Sequence, residues 1–581
     1  MTLLAGSGTT LVLRGVAALV TLAIARFVYK GYNARRRVQR LRAQGIPLLP
    51  HSWLWGHLKV MGDFRNDSPD DANIYEFHGW LKRNMAAYFP GESSLPGVVY
   101  LDIWPFSDGL AIITDADMVQ QFMQKPDLPK SMTAAEFLKP LTNARDIVSI
   151  PGGAEWKLWR TRFNPSFSPR NIQALLPQLL EEVEVFVDVL RSKAGRATAH
   201  GNAWGPMFQL HEKAINLTFD IILRAAVDIR LREQSRETES PLKIAMTKQI
   251  EMMSKMAHGS QFSLGIKMPW DHKAIADNNK VIASYVIPEI LTKIGEAEGQ
   301  TSQQPQESQN TKTAADAAIF GAVKDKKSMA NGKGIAGSLA NDSDFMDKLI
   351  ANLKAFLFAG HDTTATTICF MTHELGKRPE CLQKLRDEHD EVLGPDPSKA
   401  SAVLHKSPHL MYQLPYTTAV IKETLRLHPL AATLRDAPKD FSLVSKETGV
   451  AFPLGSFAAW LSAPILAIDE RYWAEPYRFM PERWLVAEGD PLYSSNRDAW
   501  APFSLGPRNC IGMELALMEL RLVSVLTARV FDIEEDWEEW DRSRGEEATP
   551  DHKFAGGRLY GTGRGTVHPK DGMPVHLRLA K

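Results

Sequence analysis

A ten-residue stretch near the end of the chain, FSLGPRNCIG (Phe503 to Gly512), constrains the fold more than any other feature of the sequence. It places Cys510 directly before IGMELALMELRLVSVL, a run of good helix formers, so a helix N-terminus would point its amide groups at the sulfur. Gly506 and Gly512 let the backbone turn sharply and approach a flat ligand closely. Arg508 supplies a fixed cation for an anionic group. The stretch therefore predicts a cysteine held in a tight loop at the start of a helix.

The chemistry of such a cysteine points to a metal ligand. One thiolate in apolar surroundings, with a single clamp for an anionic group, is what a haem iron with an axial cysteine requires, because the thiolate pushes electron density to the iron. Zinc would need more ligands, and no Cys-x-x-Cys pair or histidine cluster lies near Cys510. The alternative is that Cys510 is a small buried hydrophobe, as most free cysteines are. The five fixed residues of Phe-x-x-Gly-x-Arg-x-Cys-x-Gly favour the haem ligand.

This stretch resembles the haem-binding signature of the cytochrome P-450 family of haem-thiolate monooxygenases and matches it at every fixed position. The resemblance implies the cytochrome P-450 fold, which is mainly α with a minor β-sheet region. It implies that Cys510 is the axial ligand of the haem iron, and that Phe503, Gly506 and Arg508 belong to the haem-binding site. The implied reaction inserts one oxygen atom of dioxygen into an apolar substrate and reduces the other to water.

A second motif, AGHDTT (Ala359 to Thr364), lies in the middle of a long predicted helix. Small Ala359 and Gly360 would leave room for dioxygen, while Thr363 and Asp362 offer a hydroxyl and a carboxyl for proton delivery. The motif is similar to the oxygen-activating motif of the family, which makes Thr363 and Asp362 the candidate catalytic residues. Read without that context, the threonines are exposed helix hydroxyls and Asp362 is a solvated charge.

A structural ion pair is predicted in KETLRLHP, where Glu423 and Arg426 are three residues apart and share one helix face. Such a pair is usually a surface salt bridge of little energetic weight. In the family that this chain resembles, the pair is buried and is joined by an arginine from a later loop. FMPERW supplies that arginine here as Arg483. The resemblance implies that these three residues hold the core together and take no part in catalysis.

Further contacts to the haem propionates are implied by the resemblance. WKLWR places Trp156 and Arg160 one helical turn apart, where an aromatic ring and a guanidinium would suit one buried carboxylate. Alone, this spacing is more often a cation–π or core contact. Arg435 is similar to another propionate contact of the family. Where many members have a histidine before Asp-x-x-Tyr-Trp, this chain has Ala467 in LAIDERYW, so one propionate contact is absent or replaced.

The N-terminal segment is predicted to be a membrane anchor. Thr2 to Ala25 is apolar except for Arg14, and basic residues follow it: Arg26, Lys30, Arg35, Arg36, Arg37, Arg40 and Arg42. This asymmetry predicts a signal-anchor in the endoplasmic reticulum with the catalytic domain facing the cytosol. A cleaved signal and an interfacial helix are the alternatives, because Arg14 is costly at mid-span and Ala23-Ile24-Ala25 resembles a cleavage site.

The chain is accordingly divided into an anchor (1–30), a basic and proline-containing linker (31–50) and a haem-thiolate monooxygenase domain (51–581). VVYLDIWP and LAIITDAD predict a hairpin, and MPVHLRLAK alternates like a terminal strand. Capping residues and stops predict three helices, over 343–376, 379–394 and 415–429. Residues 299–342 are rich in Gln, Ser, Gly and Lys, which predicts a disordered surface insertion.

Composition limits the partners. Lys+Arg and Asp+Glu both number 68, and no basic stripe with interleaved aromatics follows the N-terminus, so nucleic acid is not expected to bind. Three cysteines are too few for a disulfide framework, which favours a reducing compartment. No Gly-x-Gly-x-x-Gly after a strand is present, so the chain carries no nicotinamide or flavin fingerprint of its own. The resemblance then implies that electrons come from NADPH through a separate flavoprotein reductase.

The substrate is the least constrained part. The sequence LRLHPLAATLRDAP is similar to that of fungal members of the family that tailor polyketides or terpenoids. Hydroxylation of a fatty acid or a sterol is the alternative. Four segments, rich in Met, Phe and Leu, are expected to contact an apolar substrate: 130–150, 252–265, 353–358 and the residues after Pro429. Two other functions stay open, a reductase-independent haem-thiolate isomerase and a haem-binding sensor. AGHDTT counts against the isomerase, which can dispense with the acid and the threonine.

Overall fold

The computed structural model describes residues 5–124, 127–195, 197–198, 201–256, 268–299, 312–329, 338–431, 433–545, 554–563 and 566–580 of the 581-residue chain. Within these ranges the protein is mainly helical with several small sheets, as the sequence predicts. The helices are α1 (Ala5–Ala43), α2 (Leu58–Asn66), α3 (Glu76–Arg83), α4 (Met85–Tyr88), α5 (Ala116–Met123), α6 (Met132–Thr142), α7 (Gly153–Phe163), α8 (Pro169–Lys193), α9 (Leu210–Val227), α10 (Pro241–Met256), α11 (Pro269–Gly299), α12 (Ala314–Met329), α13 (Ser343–Gly376), α14 (Pro379–Leu393), α15 (Ala400–Lys406), α16 (Pro415–Leu427), α17 (Ala463–Ala467), α18 (Met513–Thr527) and α19 (Trp537–Ser543).

The described strands form small, separate sheets. A four-stranded sheet has the order β1 (Val98–Leu101), β2 (Leu110–Ile113), β9 (Ala458–Leu461) and β6 (Leu434–Asp436). A three-stranded sheet has the order β10 (Phe531–Glu535), β13 (Pro574–Leu579) and β5 (Phe208–Gln209). Three two-stranded ribbons are β3 (Ala197–Thr198) with β4 (Gly201–Asn202), β7 (Ser442–Val444) with β8 (Ala451–Pro453), and β11 (Gly561–Thr562) with β12 (His568–Pro569).

The predicted hairpin and terminal strand are confirmed. β1 and β2 pair antiparallel, with Val98 opposite Ile113, and both strands are buried over their whole length, which explains why they consist of β-branched and apolar residues. β9 then joins β2 in parallel, and β6 closes the other edge of the sheet antiparallel to β9. The predicted C-terminal strand is β13, the central strand of its sheet.

The long helix α13 crosses the centre of the helical core with the predicted bounds. It begins after Asp342, whose carboxylate accepts a hydrogen bond from the Phe345 N–H at 3.1 Å, and it packs along α9 and against α18. Gly360 packs against α9, where a Cβ at that position would sit 2.5 Å from Cγ1 of Ile222. The absence of a side chain at Gly360 is therefore needed for the packing of α13 against α9.

Helix α1 runs past the predicted boundary between anchor and linker. The helix continues to Ala43, so residues 31–43 are helical, because Arg, Leu and Ala in this stretch are good helix formers. Its last turns are part of the folded body: Val38 is fully buried, and buried Arg35 forms an ion pair with Asp102. Val12–Ala43 is long and apolar enough to cross a membrane, a property that signal sequences share.

The predicted disordered insertion over 299–342 is wrong for its central part. Residues 314–329 form helix α12, which packs against α7, α9 and α11. Buried Ala314, Ala318 and Ile319 share one helix face, which gives α12 the apolar stripe that a packed helix needs. The prediction is also wrong for the end of the segment, where Leu339–Asn341 form a short 3-10 helix with Leu339 buried and Asp342 caps α13. Residues 300–311 and 330–337 lie outside the described residues.

Candidate active site

The loop before α18 holds Cys510 in a fixed position. The Cys510 N–H donates to the Phe503 carbonyl at 2.8 Å, which closes the loop. Gly506 has φ +74°, and a Cβ there would lie 2.1 Å from the Met123 carbonyl oxygen at the end of α5. Only glycine satisfies both the positive φ and this approach of the two backbones. The prediction that Gly506 serves a sharp turn is therefore borne out by its geometry.

Cys510 is solvent-exposed by its surface area, although the protein atoms packed around its sulfur desolvate the thiol. Burial raises the pKa of the Cys510 thiol, and the opposing effects of the Gly512 N–H, the Arg160 guanidinium and the Lys130 ammonium do not reverse that shift. The helix N-terminus points at the sulfur as predicted, but it does not by itself keep the thiolate. A metal ion bound to the sulfur would displace the proton, whereas a cysteine nucleophile needs a lowered pKa.

Arg508 lies under the indole ring of Trp156, with its guanidinium carbon 4.4 Å from the ring centroid. Its N–H groups donate to the carbonyls of Ile150 (3.0 Å) and Pro151 (2.6 Å) and to the carboxylate of Asp127 (3.1 Å). Gly152, next in the chain, has no room for a Cβ, which would sit 2.6 Å from Nη2 of Arg508. Arg508 therefore joins the cysteine loop to the start of α7.

Trp156 and Arg160 do not converge on one point as the sequence suggested. The indole N–H of Trp156 donates to the Ile147 carbonyl at 3.1 Å, so the ring serves Arg508 and not an external carboxylate. Arg160 donates to the carbonyl and to the side-chain oxygen of Asn509, at 3.0 Å and 2.9 Å. Arg160 therefore fixes the residue that precedes Cys510 and places a positive charge near the sulfur.

Lys130 and Arg435 form a positively charged cluster beside Arg508 that carries unused hydrogen-bond donors. Residues 129–131 lie along β6 like a short extra strand, so that Lys130 and Arg435 stand opposite each other. Nη1 of Arg435 donates to the Leu128 carbonyl at 2.8 Å and lies 3.3 Å from the Asp127 carboxylate, but its buried Nε and Nη2 have no hydrogen-bond partner among the described residues. Burial, followed by repulsion from Arg435 and Arg508, lowers the pKa of Lys130 to about 7.

The middle of α13 opens a small window on one helix face. Between Ala351 and Phe370 every residue is buried except Ala359, which is exposed, and Gly360 and Thr363, which are half-buried. These three positions are one residue and one turn apart, so they share a face. The Thr363 hydroxyl donates to the Ala359 carbonyl at 3.0 Å. Ala359 is thus the small residue of AGHDTT that reaches open space, whereas Ile222 fills the space beside Gly360, where the sequence predicts room for dioxygen.

Asp362 lies on the adjacent face of α13, about 100° around the helix from Thr363, and is buried. Its carboxylate lies 3.0 Å from Nε2 of His568 on β12. Although burial opposes the charge, the hydrogen bond and the charge of His568 lower the pKa of Asp362 well below its ordinary value. The two predicted catalytic residues therefore have different surroundings: Thr363 faces the window, and Asp362 is held in an ion pair.

The predicted structural trio is confirmed. Arg426 binds the Glu423 carboxylate through two N–H groups at 2.9 and 2.8 Å, and Nε of Arg483 donates to the same carboxylate at 3.0 Å. All three side chains are fully buried. The Trp484 indole N–H donates to the other carboxylate oxygen at 3.0 Å. Arg426 also donates to the carbonyl of Ala467. Ala467, which stands where many members of the family have a histidine, therefore lies beside this network.

Part of the predicted substrate segments lies in the hydrophobic core. Within 353–358, Phe356 contacts Phe163 and Phe167. Phe358 is also buried and faces Phe137 of α6, with ring centroids 6.3 Å apart. The segment 130–150 forms α6 and its flanks, which pack on α13. Most of 252–265 lies outside the described residues.

Two site residues have no signal in the sequence. Lys130 follows Pro129 in an irregular loop, and His568 stands alone in a glycine-rich C-terminal stretch. Neither residue belongs to a motif, and both reach the site through pairing with a strand or helix that is distant in sequence. Residue type alone gives no means of selecting them among the other lysines and histidines.

The arrangement fits a haem. An exposed sulfur, a helix window of small residues and a cluster of cations with unused buried N–H groups are what a flat iron cofactor with two carboxylates needs. Asp127 and Cys510 are the acidic groups that act on Lys130 among the described residues, which leaves the cluster of Lys130, Arg435 and Arg508 net positive. Cys510 would hold the iron, and the cations would hold the carboxylates.

Comparison with known proteins agrees with this geometry. The family model described as cytochrome P-450 matches residues 99–549. The chain is 32% identical over 565 residues to cytochrome P-450 monooxygenase polC of Polytolypa hystricis, covering 97% of this chain and 95% of that protein. It is 30% identical over 500 residues to cytochrome P-450 monooxygenase acrF of Aspergillus aculeatus, covering 82% and 93%.

Solved cytochrome P-450 structures have the same fold as this chain. The crystal structure of the haem domain of cytochrome P-450DA superposes with a TM-score of 0.63, at 19% identity, and covers 92% of this chain and 97% of that one. The predicted fold class is therefore confirmed, and the N-terminal apolar helix is compatible with a membrane anchor. From its cysteine loop, its helix window and these matches, we conclude that the chain belongs to the cytochrome P-450 family of monooxygenases.

Proposed function

We propose that this monooxygenase catalyses a tailoring step in fungal secondary metabolism and oxidises an apolar polyketide or terpenoid. The observation that carries the proposal is the similarity to a fungal monooxygenase, polC, at 32% identity over 97% of the chain. The second relative, acrF, is also fungal. A fatty acid or sterol hydroxylase is the alternative within the same class.

A bound haem would supply the activation of dioxygen for insertion into a C–H bond. Cys510 would provide that thiolate. Arg435, Lys130 and Arg508 would hold the haem carboxylates, and Arg160 would keep the cysteine loop in place through Asn509. Thr363 would hold a proton at its hydroxyl in the helix window, and Asp362 would exchange protons on the adjacent face of α13.

A separate NADPH-dependent flavoprotein reductase would deliver the electrons. The presence of Thr363 and Asp362 favours a dioxygen-dependent monooxygenase over a reductase-independent isomerase, because an isomerase needs no proton delivery to oxygen. A haem-binding sensor would bind carbon monoxide at the reduced iron but would consume no NADPH above background. NADPH consumption with a reductase therefore separates the enzyme from the sensor.

The apolar helix α1 supports the proposed membrane setting. An apolar span followed by basic residues is typical of an anchor whose C-terminal side faces the cytosol, here in the endoplasmic reticulum. Exposed Trp53, Leu54 and Trp55 lie in the loop after α1, and the ring of Trp53 is 6.2 Å from that of Tyr32. Aromatic residues next to an apolar span are typical of the membrane–water interface. Because the end of α1 is buried in the body, the anchor and the domain would be joined without a flexible linker.

A panel of apolar compounds tests the proposed substrate class. Polyketides, cyclic terpenoids, sterols and long-chain fatty acids are titrated into the haem-loaded protein, and the shift of the haem absorption band is recorded. Compounds that shift the band are then incubated with NADPH, a fungal reductase and isotopically heavy dioxygen. We expect a polyketide or terpenoid to gain one heavy oxygen atom. Turnover of fatty acids or sterols alone would contradict the proposal.

Lys130 tests the proposed haem contacts. We expect Lys130→Met to release haem about 10 to 100 times faster than the unmodified protein, because a hydrogen bond to a charged group contributes about 1.5 to 3 kcal/mol. The release rate is measured by transfer of haem to an excess of an unrelated haem-free protein. Lys139→Met on α6, which removes an exposed lysine, is the matched control and should leave the rate unchanged. Equal rates for the two variants would remove Lys130 from the haem site.

A further inference from the structure

The carboxylate of Asp362 is controlled by a histidine from the C-terminal ribbon. Nε2 of His568 lies 3.0 Å from the carboxylate and 3.1 Å from the hydroxyl of Thr566. The side chain of Asp362 is 4% exposed, whereas that of His568 is 37% exposed. His568 is thus the member of the pair that reaches solvent.

The ribbon is fixed to α13 one turn after Asp362. The Thr366 hydroxyl donates to the Val567 carbonyl at 3.0 Å, which positions the backbone directly before His568. His211 on α9 lies 3.1 Å from the same hydroxyl, and its ring centroid is 5.3 Å from that of His568. The imidazole of His568 is therefore held against Asp362 from two sides.

The charges around the pair leave His568 as the group that titrates. Burial disfavours the imidazolium, but the hydrogen bond and the charge of Asp362 outweigh burial and raise the pKa of His568 above its ordinary 6.5. Burial lowers the pKa of His211 to about 3 and also lowers the pKa of His361, so both neighbours stay neutral.

The other charged groups of the neighbouring elements have partners of their own. Lys243 on α10, which acts on His361, is paired with Glu239 at 2.8 Å and hydrogen-bonded to Asn216. Lys570, two residues after His568, is paired with Asp71 at 2.8 Å. Among the described residues, the ionic partner of Asp362 is therefore His568 alone.

We propose that His568 is a positioning residue that supplies the proton to Asp362, an inference that rests on the proposed role of Asp362 and Thr363. The imidazolium gives its Nε2 proton to a carboxylate oxygen of Asp362, which leaves a neutral imidazole and a neutral carboxyl group. The imidazole, which keeps its proton on Nδ1, is then protonated again at Nε2 by the Thr566 hydroxyl, which lies 3.1 Å from Nε2 and takes a proton from a hydronium ion in return. Because Asp362 is 4% exposed, it depends on His568 for this exchange.

The consequence is a pH dependence set by one residue. Below the raised pKa of His568 the pair is charged and a proton is available. As the pH rises through that pKa, the proton is lost and Asp362 has no donor. The protonated fraction of His568 falls about tenfold between one pH unit below its pKa and one unit above. Proton-dependent reduction of oxygen should fall with it.

The first test measures the protonation of His568 without turnover. Histidine labelled with carbon-13 is incorporated into the full chain, and the reduced, carbon monoxide-bound protein, which is diamagnetic, is titrated by NMR. The His568 signal is identified by its absence in His568→Lys. We expect a pKa above 6.5 in the unmodified protein and below 6.5 in Asp362→Asn, where burial acts without the carboxylate. The same pKa in both proteins would overturn the inference.

The second test measures where the electrons go and needs no substrate. With a reductase and NADPH, dioxygen takes two electrons and two protons to form hydrogen peroxide, or four of each to form two waters. We expect the share recovered as hydrogen peroxide to rise as the pH passes the NMR-derived pKa of His568. His568→Lys keeps a cation beside Asp362 but does not titrate in this range, so the step should vanish. His568→Gln should give a high peroxide share at every pH.

His576→Gln on neighbouring β13 is the matched control, because His576 is also paired with acidic side chains, Asp536 and Glu539, but lies outside the Asp362 network. This variant should show the same pH-dependent rise in the hydrogen peroxide share as the unmodified protein. A step at the same pH in His568→Lys would contradict the role of His568. If the unmodified protein consumed no NADPH above background, the proposed monooxygenase function would be wrong. The NMR titration would still test whether Asp362 raises the pKa of His568.

Discussion

Glu423→Ala is expected to abolish the accumulation of haem-loaded protein. The substitution leaves Arg426 and Arg483 fully buried with no counter-charge, and it removes the acceptor of the Trp484 indole N–H. Removal of one partner from a buried ionic network costs about 3 to 5 kcal/mol, which is a large part of the stability of a domain. The yield of haem-loaded protein and the apparent melting temperature, measured at one heating rate, report the effect.

Asp277→Ala on α11 is the matched control, because it removes an exposed carboxylate whose partner, Lys273, is also exposed. This variant should accumulate and melt like the unmodified protein. Glu423→Gln keeps the shape but removes the charge, and it should fall between the two. A yield and melting temperature of Glu423→Ala equal to those of the control would contradict the structural role of the network.

Cys510→Ser is expected to reduce oxygen insertion at least about 100-fold, which corresponds to about 2.7 kcal/mol of transition-state stabilisation. A serine hydroxyl donates far less electron density to iron than a thiolate, so the activation of dioxygen loses its driving group. The fold should be retained, because the loop is closed by the backbone bond from Cys510 to Phe503 and by Gly506. Product formation from the compound that gives the largest band shift in the substrate panel is the measurement.

Cys381→Ala provides the control for the loss of a thiol, since Cys381 is buried on α14 and lies outside the cysteine loop. Oxygen insertion should be unchanged in that variant. Similar turnover by Cys510→Ser and the unmodified protein would show that the sulfur of Cys510 takes no part in the reaction.

The sequence predicted well those elements whose signals are local. The bounds of α13 follow from a run of capping residues at one end, where Asp342 makes the cap and not Ser343 or Asp344 as the sequence indicated, and from Gly376 and Pro379 at the other. The β1–β2 hairpin follows from two β-branched runs around Ser107 and Gly109. The cysteine loop was predicted from its motif, and the burial of the trio was predicted from the family resemblance, since the spacing of Glu423 and Arg426 alone is typical of a surface pair.

Helix α12 was missed because composition was read over too long a window. Its apolar face, with Ala314, Ala318 and Ile319, lies between two strongly polar stretches that dominate the average over 299–342. A search for the helical period within the segment would have revealed three apolar residues on one face. The polar flanks concealed a helix that packs on the core.

The charged contacts of the site could not be predicted because they join distant parts of the chain. Asp362 and His568 are 206 residues apart in sequence, and no pattern in either segment indicates the other. The sequence analysis predicted that Trp156 contacts a haem propionate, yet its indole N–H donates to the Ile147 carbonyl. The sequence also does not show which hydrogen-bond donors stay without a partner, such as Nε and Nη2 of Arg435, because this depends on the folded structure.

The role of Gly360 shows how two constraints can share one residue. The sequence analysis assigned its small size to dioxygen, and the structure shows that Ile222 of α9 occupies the space beside it. Ala359, by contrast, is exposed in the window with half-buried Thr363. The space for a ligand therefore depends mainly on Ala359, and the packing of the two central helices depends on Gly360.

The central claim is that Cys510 binds the haem iron as a thiolate. The most direct measurement is the carbon monoxide difference spectrum of the reduced, haem-loaded protein, recorded beside that of Cys510→Ser. The account predicts the long-wavelength absorption band of a thiolate-bound iron in the unmodified protein and its loss in the variant. A short-wavelength band of the imidazole or water type in the unmodified protein, or an unchanged thiolate band in Cys510→Ser, would contradict it.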